Sequence, residues 1–218
     1  MELLGLDVSA DHFPEASKLP PNVRLEIHDA LDPLPDDLLG TFDLVNVRLL
    51  ALGLQSAQYG VVAKNVYDAL RPGGWFQWME IVIVNECEES KQTPCLREII
   101  LSCEHSFPAM GKNQAAAEQI PQCLEEVGFE EIHHRRFYYY YDSPAETVQG
   151  MKKVFSENFK LPGMSILSAS LKLGGNPALQ SMDDVRRIAE GSAEEIMSGD
   201  RNWLIPLKAV AGRKPHRK

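Results

Sequence analysis

Between Phe42 and Val84 the chain carries an unbroken run of signals that few folds accept. Phe42–Val47 (FDLVNV) is apolar enough for a buried strand. Tyr59–Leu70 (YGVVAKNVYDAL) sets its apolar residues at helical spacing and stops at Arg71-Pro72-Gly73-Gly74, a strong turn. Trp75–Val84 (WFQWMEIVIV) is then the longest strand candidate in the sequence. Strands separated by a helix lie parallel, so this stretch predicts an α/β sheet.

The flanks fit that frame. Glu2–Val8 (ELLGLDV) is a short apolar run carrying an aspartate near its end, and Val23–His28 (VRLEIH) alternates with period two, as a strand does. Asp11–Leu19 is polar and short for a helix, Pro20-Pro21 breaks the chain, and Leu31–Gly40 holds the turn residues Pro33, Pro35 and Gly40. Downstream the character changes. Helices are expected over Pro94–Ser106, Ala115–Val127 (stopped by Gly128), Pro144–Phe159 and Asp183–Met197, with an aromatic strand over Glu131–Tyr141 and a last strand over Trp203–Gly212. There is no internal repeat and no linker, so the reading is one domain over residues 1–218 with a helical cap built from about Glu86–Lys112 and Ser143–Gly199.

Composition narrows the partners. At 218 residues the chain can bury roughly 70% of its unfolded surface in one core. The 31 acidic against 22 basic residues give a net charge of −9, a field that disfavours nucleic acid. The basic end, Arg213, Lys214, Arg217 and Lys218, reads as a frayed tail. No stretch approaches the roughly 18 apolar residues of a membrane span, and Met1–Asp7 has no basic leader, so a cytoplasmic location is expected. Cys87, Cys95, Cys103 and Cys123 show no paired spacing; they read as reduced structural thiols, with no metal expected.

Four elements in order resemble the class I S-adenosylmethionine (SAM) methyltransferases. They are Leu4-Gly5-Leu6-Asp7-Val8-Ser9, Ile27-His28-Asp29-Ala30, Phe42-Asp43-Leu44-Val45, and Leu70-Arg71-Pro72-Gly73-Gly74 before a long strand. Val47-Arg48-Leu49-Leu50, Trp75-Phe76-Gln77-Trp78-Met79-Glu80 and Ala211-Gly212-Arg213-Lys214-Pro215 look closer still to the LaeA-like fungal group linked to secondary metabolism. The resemblance runs from about Leu3 to Pro215. It implies a Rossmann-like methyltransferase fold, SAM as cofactor and a small-molecule substrate.

It also implies roles. Ligands of such sheets sit beyond the carboxyl ends of the strands. Asp7 would accept from the ribose hydroxyls, and Asp29 with Ala30 would lie against the adenine edge. Asn46 and Arg48 would leave the fourth family strand where substrate and methyl group meet, Arg48 pairing with a carboxylate. No catalytic residue is named outright; His105 is a candidate base in the cap, and Glu80 a second candidate. Asp43, Gly73 and Gly74 read as structural. His133 and His134, adjacent on a strand, face opposite sides and do not chelate together. The Glu86, Glu88, Glu89 cluster reads as a solvated loop.

One departure stands out. The family places a first strand and a glycine-rich loop before the acidic strand, whereas Asp7 has six residues before it and Gly5 is the one glycine among them. The expectation is an N-terminally truncated fold, with first strand and loop missing. Three completions are open: direct pairing of Leu3–Leu6 with Phe42–Val47, a strand from another chain (a homodimer or a full-length methyltransferase), or an N-terminal part outside this sequence. Two other functions stay in play beside methyl transfer: a non-methylating isomerase or cyclase on the same fold, and a non-catalytic partner of a full-length methyltransferase.

Overall fold

A computed structural model describes residues 1–11, 13–82, 94–138, 145–198 and 206–216. The Phe42–Val84 stretch folds as its pattern requires. Phe42–Arg48 is β3, Tyr59–Ala69 is α1 and Leu70–Ile81 is β4. In α1, Tyr59, Val62, Ala63, Val66 and Ala69 repeat at three- and four-residue spacing and all are buried. β3 and β4 run parallel, with Val45 opposite Phe76 and Val47 opposite Trp78.

β4 starts earlier than expected. Arg71–Gly74 does not precede the strand as a turn; it forms an irregular opening within it, with a register shift between Phe42 and Leu44. Gly73 sits at φ +82°, where a side chain would be strained. Its N–H donates to the Lys214 carbonyl, and the Lys214 N–H donates to the Gly74 carbonyl, each at 2.9 Å. The pairing partner therefore comes from a distant part of the chain, which no local signal announces.

The rest of this sheet is antiparallel. Glu130–Tyr138 (β5) and Pro206–Arg213 (β6) complete a four-stranded sheet in the order β3-β4-β6-β5, with β6 antiparallel to both neighbours. The sheet is thus mixed rather than wholly parallel. Leu3–Asp7 (β1) and Val23–Ile27 (β2) pair parallel as a separate two-stranded sheet, Leu3 opposite Val23 and Asp7 opposite Ile27. Of the three completions considered, direct pairing of β1 with β3 is not adopted among the described residues.

Residues opposite one another on paired strands share a face. Val45, Val47, Phe76, Trp78, Ile132 and Val210 point into one cluster with α1 and Ala116–Val127 (α3). Tyr59 stacks on Trp78 with ring centroids 5.3 Å apart. The α3 helix ends at Gly128, φ +102°, as expected. The opposite face carries Leu44, Asn46 and Arg48 beside Trp75, Gln77 and Met79, then Ala211 and Ala209 beside His133 and Arg135. Leu44 there is 58% exposed.

The cap helices are Pro94–Ala109 (α2), Ala145–Leu173 (α4) and Met182–Ser198 (α5), and they share a second cluster around Ile99, Cys103, Leu167 and Ile188. The first two N–H groups of α2 available for capping, on Cys95 and Leu96, donate to the Glu195 carboxylate of α5 at 2.9 and 3.0 Å. α4 does not end near Phe159; it continues through Pro162. A proline inside a helix removes one hydrogen bond, and here the helix beyond it is held by burial of Ile166 and Leu167 and by Gly163 against Ile99. Cys95, Cys103 and Cys123 are free thiols. Cys87, the Glu86–Glu89 cluster, Tyr139–Tyr141 and Trp203 lie outside the described residues. Among the described residues no helix is long and apolar enough to cross a membrane.

Candidate functional site

Parallel strands present their ligands beyond their carboxyl ends, and four ends matter here. Asp7 closes β1, and its Oδ1 accepts from the Ser9 N–H at 3.0 Å. Asp29 follows β2, and its Oδ1 accepts from the Leu31 N–H at 2.9 Å. Both are exposed. These are Asx turns: a short carboxylate rigidifies the bend that leaves the strand. The second oxygen of each carries no hydrogen bond among the described residues, so each has an acceptor to offer. The two ends are tied together by the His28 N–H donating to the Asp7 carbonyl at 2.8 Å. Asn65 of α1 donates to the carbonyls of Ala30 and Asp32 at 2.9 and 3.0 Å, anchoring this loop to the larger sheet's helix.

Asn46 and Arg48 alternate along β3, both exposed and on the same face. Arg48 makes no ion pair among the described residues. The structure thus forms two groups, Asp7 with Asp29–Ala30, and Asn46 with Arg48; no hydrogen bond or ion pair joins them among the described residues. Asp43 pairs with Arg71 at the surface, remote from this chemistry. His133 and His134 occupy successive register positions on β5, opposite Ala211 and Val210. His105 lies on α2 against Gly175, where an added Cβ would come within 2.7 Å of its own. It makes no hydrogen bond to the strand-end residues among the described residues.

Glu80 is fully buried, near the end of β4. It shares the core-facing parity of Phe76 and Trp78, a signal already present in the sequence. Its Oε2 accepts from the Leu50 N–H at 2.8 Å and its Oε1 from the Ile81 N–H at 2.9 Å. Burial pushes its carboxyl up, opposed by the backbone N–H groups of Ile81 and Leu50, the nearby Trp78 indole and the Ala51 N–H. Tyr59 is pushed up as well, by burial first and by Glu80 second. Both carboxylate oxygens are thus held by backbone inside the core rather than exposed at the strand ends.

The loop after β3 is also held from the cap side. Lys112 donates from Nζ to the carbonyl of Leu52 at 2.5 Å, and Ser56 N–H donates to the Gly111 carbonyl at 2.9 Å. Partial burial lowers the Lys112 ammonium below its usual range. This anchoring by Lys112 was not legible, because nothing in its local sequence marks a lysine that reaches a loop 60 residues earlier.

No family model matches the chain. Solved structures do. Phosphoethanolamine N-methyltransferase 2 from Haemonchus contortus, in complex with S-adenosyl-L-methionine, matches with TM-score 0.52 at 16% identity over 98% of this chain and 43% of that one. A SAM-dependent methyltransferase from Methanosarcina mazei matches with TM-score 0.51 at 11% identity over 98% of this chain and 82% of that one. The fold is that of the class I methyltransferases.

The sequence relatives point the same way. Methyltransferase grgD of Penicillium sp is 42% identical over 77 residues, 35% of this chain and 26% of that protein. N-methyltransferase sirN of Leptosphaeria maculans is 32% identical over 130 residues, 60% of this chain and 45% of that protein. Methyltransferase pytC of Aspergillus terreus is 25% identical over 213 residues, 93% of this chain and 61% of that protein. The chain therefore spans between about a quarter and three-fifths of the length of these relatives.

Proposed function

We propose that the chain carries the strand-end half of a SAM-dependent methyltransferase acting on a small molecule of fungal secondary metabolism, in the cytoplasm. The observation that carries this reading is the placing of Asp7, Asp29, Asn46 and Arg48 at or near the carboxyl ends of parallel strands in a methyltransferase fold. The names of the relatives support it, and the N-methyltransferases among them put nitrogen acceptors first in the order of testing.

The donor set fits the cofactor's polar parts. Asp7 and Asp29 each hold one oxygen in a turn and have another to accept from, which suits a ribose diol and an exocyclic amine. Arg48 and Asn46 supply donors suited to a carboxylate. When bound, SAM supplies an activated methyl group on a sulfonium. The residues of this chain bind and orient: Asp7 and Asp29 fix the nucleoside, while Asn46 and Arg48 fix the end of the ligand nearest the acceptor. Positioning for in-line displacement is the main demand, so the absence of a nucleophile–base pair from this reading is no obstacle.

The test is calorimetric titration of SAM into the purified chain, its first residue confirmed by mass, followed by methyl-acceptor assays on amine-bearing metabolites. Binding that weakens at least about tenfold in Asp7→Ala and Arg48→Ala supports the assignment. A folded chain that binds no SAM, alone or with a full-length methyltransferase, sinks it.

One observation favours a second reading, a partner of a full-length methyltransferase. Among the described residues β1 and β3 each pair on one side only, and an unpaired edge invites strand addition. Co-purification with such a methyltransferase, lost when proline replaces Leu44, supports it; a strictly monomeric chain in that mixture counts against it.

A further inference from the structure

We infer that Glu80 is a positioning residue for the strand-end site: its buried carboxylate clamps the backbone that follows β3 and so fixes how Asn46 and Arg48 are presented. This rests on the reading of that strand end as the ligand site.

Three observations meet at one place. First, Leu49 sits at φ +56°, a left-handed conformation that is uncommon for leucine. Second, the turn it creates is held on both sides of that residue. Its own N–H donates to the Met79 carbonyl at 3.0 Å, and the next N–H, on Leu50, donates to Glu80 at 2.8 Å. Third, Glu80 spends its oxygens on backbone even though other partners stand close. The Tyr59 hydroxyl is buried and unpartnered among the described residues, and Lys208, opposite Glu80 on β6, sends its ammonium to Glu118 instead. A buried carboxylate holding two backbone donors, one from each side of a parallel strand pair, is a strut between β4 and the loop after β3.

The strut acts where β3 ends. Arg48 immediately precedes the left-handed residue, so a change of backbone at Leu49 swings the Arg48 carbonyl and the exit of the strand. Leu50 itself packs against the sheet core, and Gly53 and Leu54 N–H groups fold back onto the Leu50 carbonyl at 2.9 Å. Loss of the Glu80 contact therefore frees a turn that begins one residue after Arg48.

The variant is Glu80→Gln, which keeps shape but has one acceptor oxygen where the carboxylate has two, and so leaves one of the two N–H groups facing a donor. Hydrogen exchange of the peptide spanning 48–54 and calorimetric binding of S-adenosylhomocysteine are read side by side with the melting temperature. The expected result is exchange about tenfold faster in that peptide, with slower peptides such as 62–70 unchanged, and ligand affinity reduced about tenfold in a protein that is still folded. A merely structural role lowers the melting temperature and moves neither readout. Unchanged exchange at 48–54 overturns the clamp. Faster exchange with unchanged affinity overturns the positioning role. If the wild-type protein binds no S-adenosylhomocysteine, the ligand-site reading fails while the exchange result still decides the clamp. Should Glu80→Gln fail to fold, Leu49→Pro, which cannot adopt φ +56° and leaves Glu80 in place, is expected to give the same pair of changes; a folded Leu49→Pro protein with wild-type affinity overturns the inference.

Discussion

Replacing Glu118 with alanine strands a buried lysine. Lys208 on β6 is only 5% exposed and sends its Nζ to Glu118 Oε2 at 2.6 Å, while Arg136 on β5 meets Oε1 at 2.6 Å. The carboxylate from α3 thus pins the helix to two strands at once. Both contacts lower its pKa, Lys208 contributing most. Breaking a fully buried pair by removing one partner costs about 3–5 kcal/mol; Glu118 is 39% exposed, so water screens part of this and about 2–3 kcal/mol is expected. The double variant Glu118→Ala with Lys208→Met removes the stranded charge as well and should recover more than about half of the loss. Urea unfolding followed by far-ultraviolet circular dichroism measures both. The penalty also depends on pH. A carboxylate held below its usual range stabilises the fold above the unfolded pKa, and that contribution is lost as pH falls through the lowered folded value. Wild type and Glu118→Ala should therefore converge at acid pH. The reasoning is refuted if Glu118→Ala costs under about 0.5 kcal/mol at pH 7, or if adding Lys208→Met deepens the loss.

Three further outcomes concern the cap cluster and the end of α3. Burial pushes the Cys103 thiol from 9.0 up to about 12, so its iodoacetamide labelling at pH 8 should track unfolding by urea; prompt labelling of the native protein would contradict its burial. The sign for stability is also set, because the folded thiol keeps a proton that the unfolded one loses, and stability falls as pH rises above 9. Gly128→Ala places a Cβ at φ +102° and should cost about 1 kcal/mol in the same urea assay, with no change in ligand binding.

Local periodicity carried far in this chain. The α1 face, the β3 pattern and the Gly128 stop were readable because each is set by neighbours within a few residues. The opening of β4 was not. Pro72-Gly73-Gly74 reads as a turn by every local rule, and becomes strand because Lys214 supplies the missing hydrogen bonds. The length of α4 was missed in the same manner: the expected helix stops at Phe159, and packing against α2 carries it on through Pro162. Asp7 and Asp29 could be read as strand-end carboxylates, since an acidic residue after an apolar run is visible in the sequence. Glu80 was visible too, as a second candidate base, but its burial was not read. A glutamate in a strand reads as available, whereas its parity with Phe76 and Trp78 puts it inside, where it holds backbone.

The position of β6 has a consequence in time. It is the latest strand in the described sequence, yet it lies between β4 and β5 and supplies Val210 to the main cluster. As the chain leaves the ribosome, β4 and β5 have no neighbour to join them until residues 206–213 have been made. Until then each exposes a strand edge, and the cluster is open where Val210 belongs. Non-local pairing of this kind is slow, and the waiting edges are where a nascent chain aggregates or recruits a chaperone. Residues 206–213 thus decide when the four-stranded sheet can exist at all.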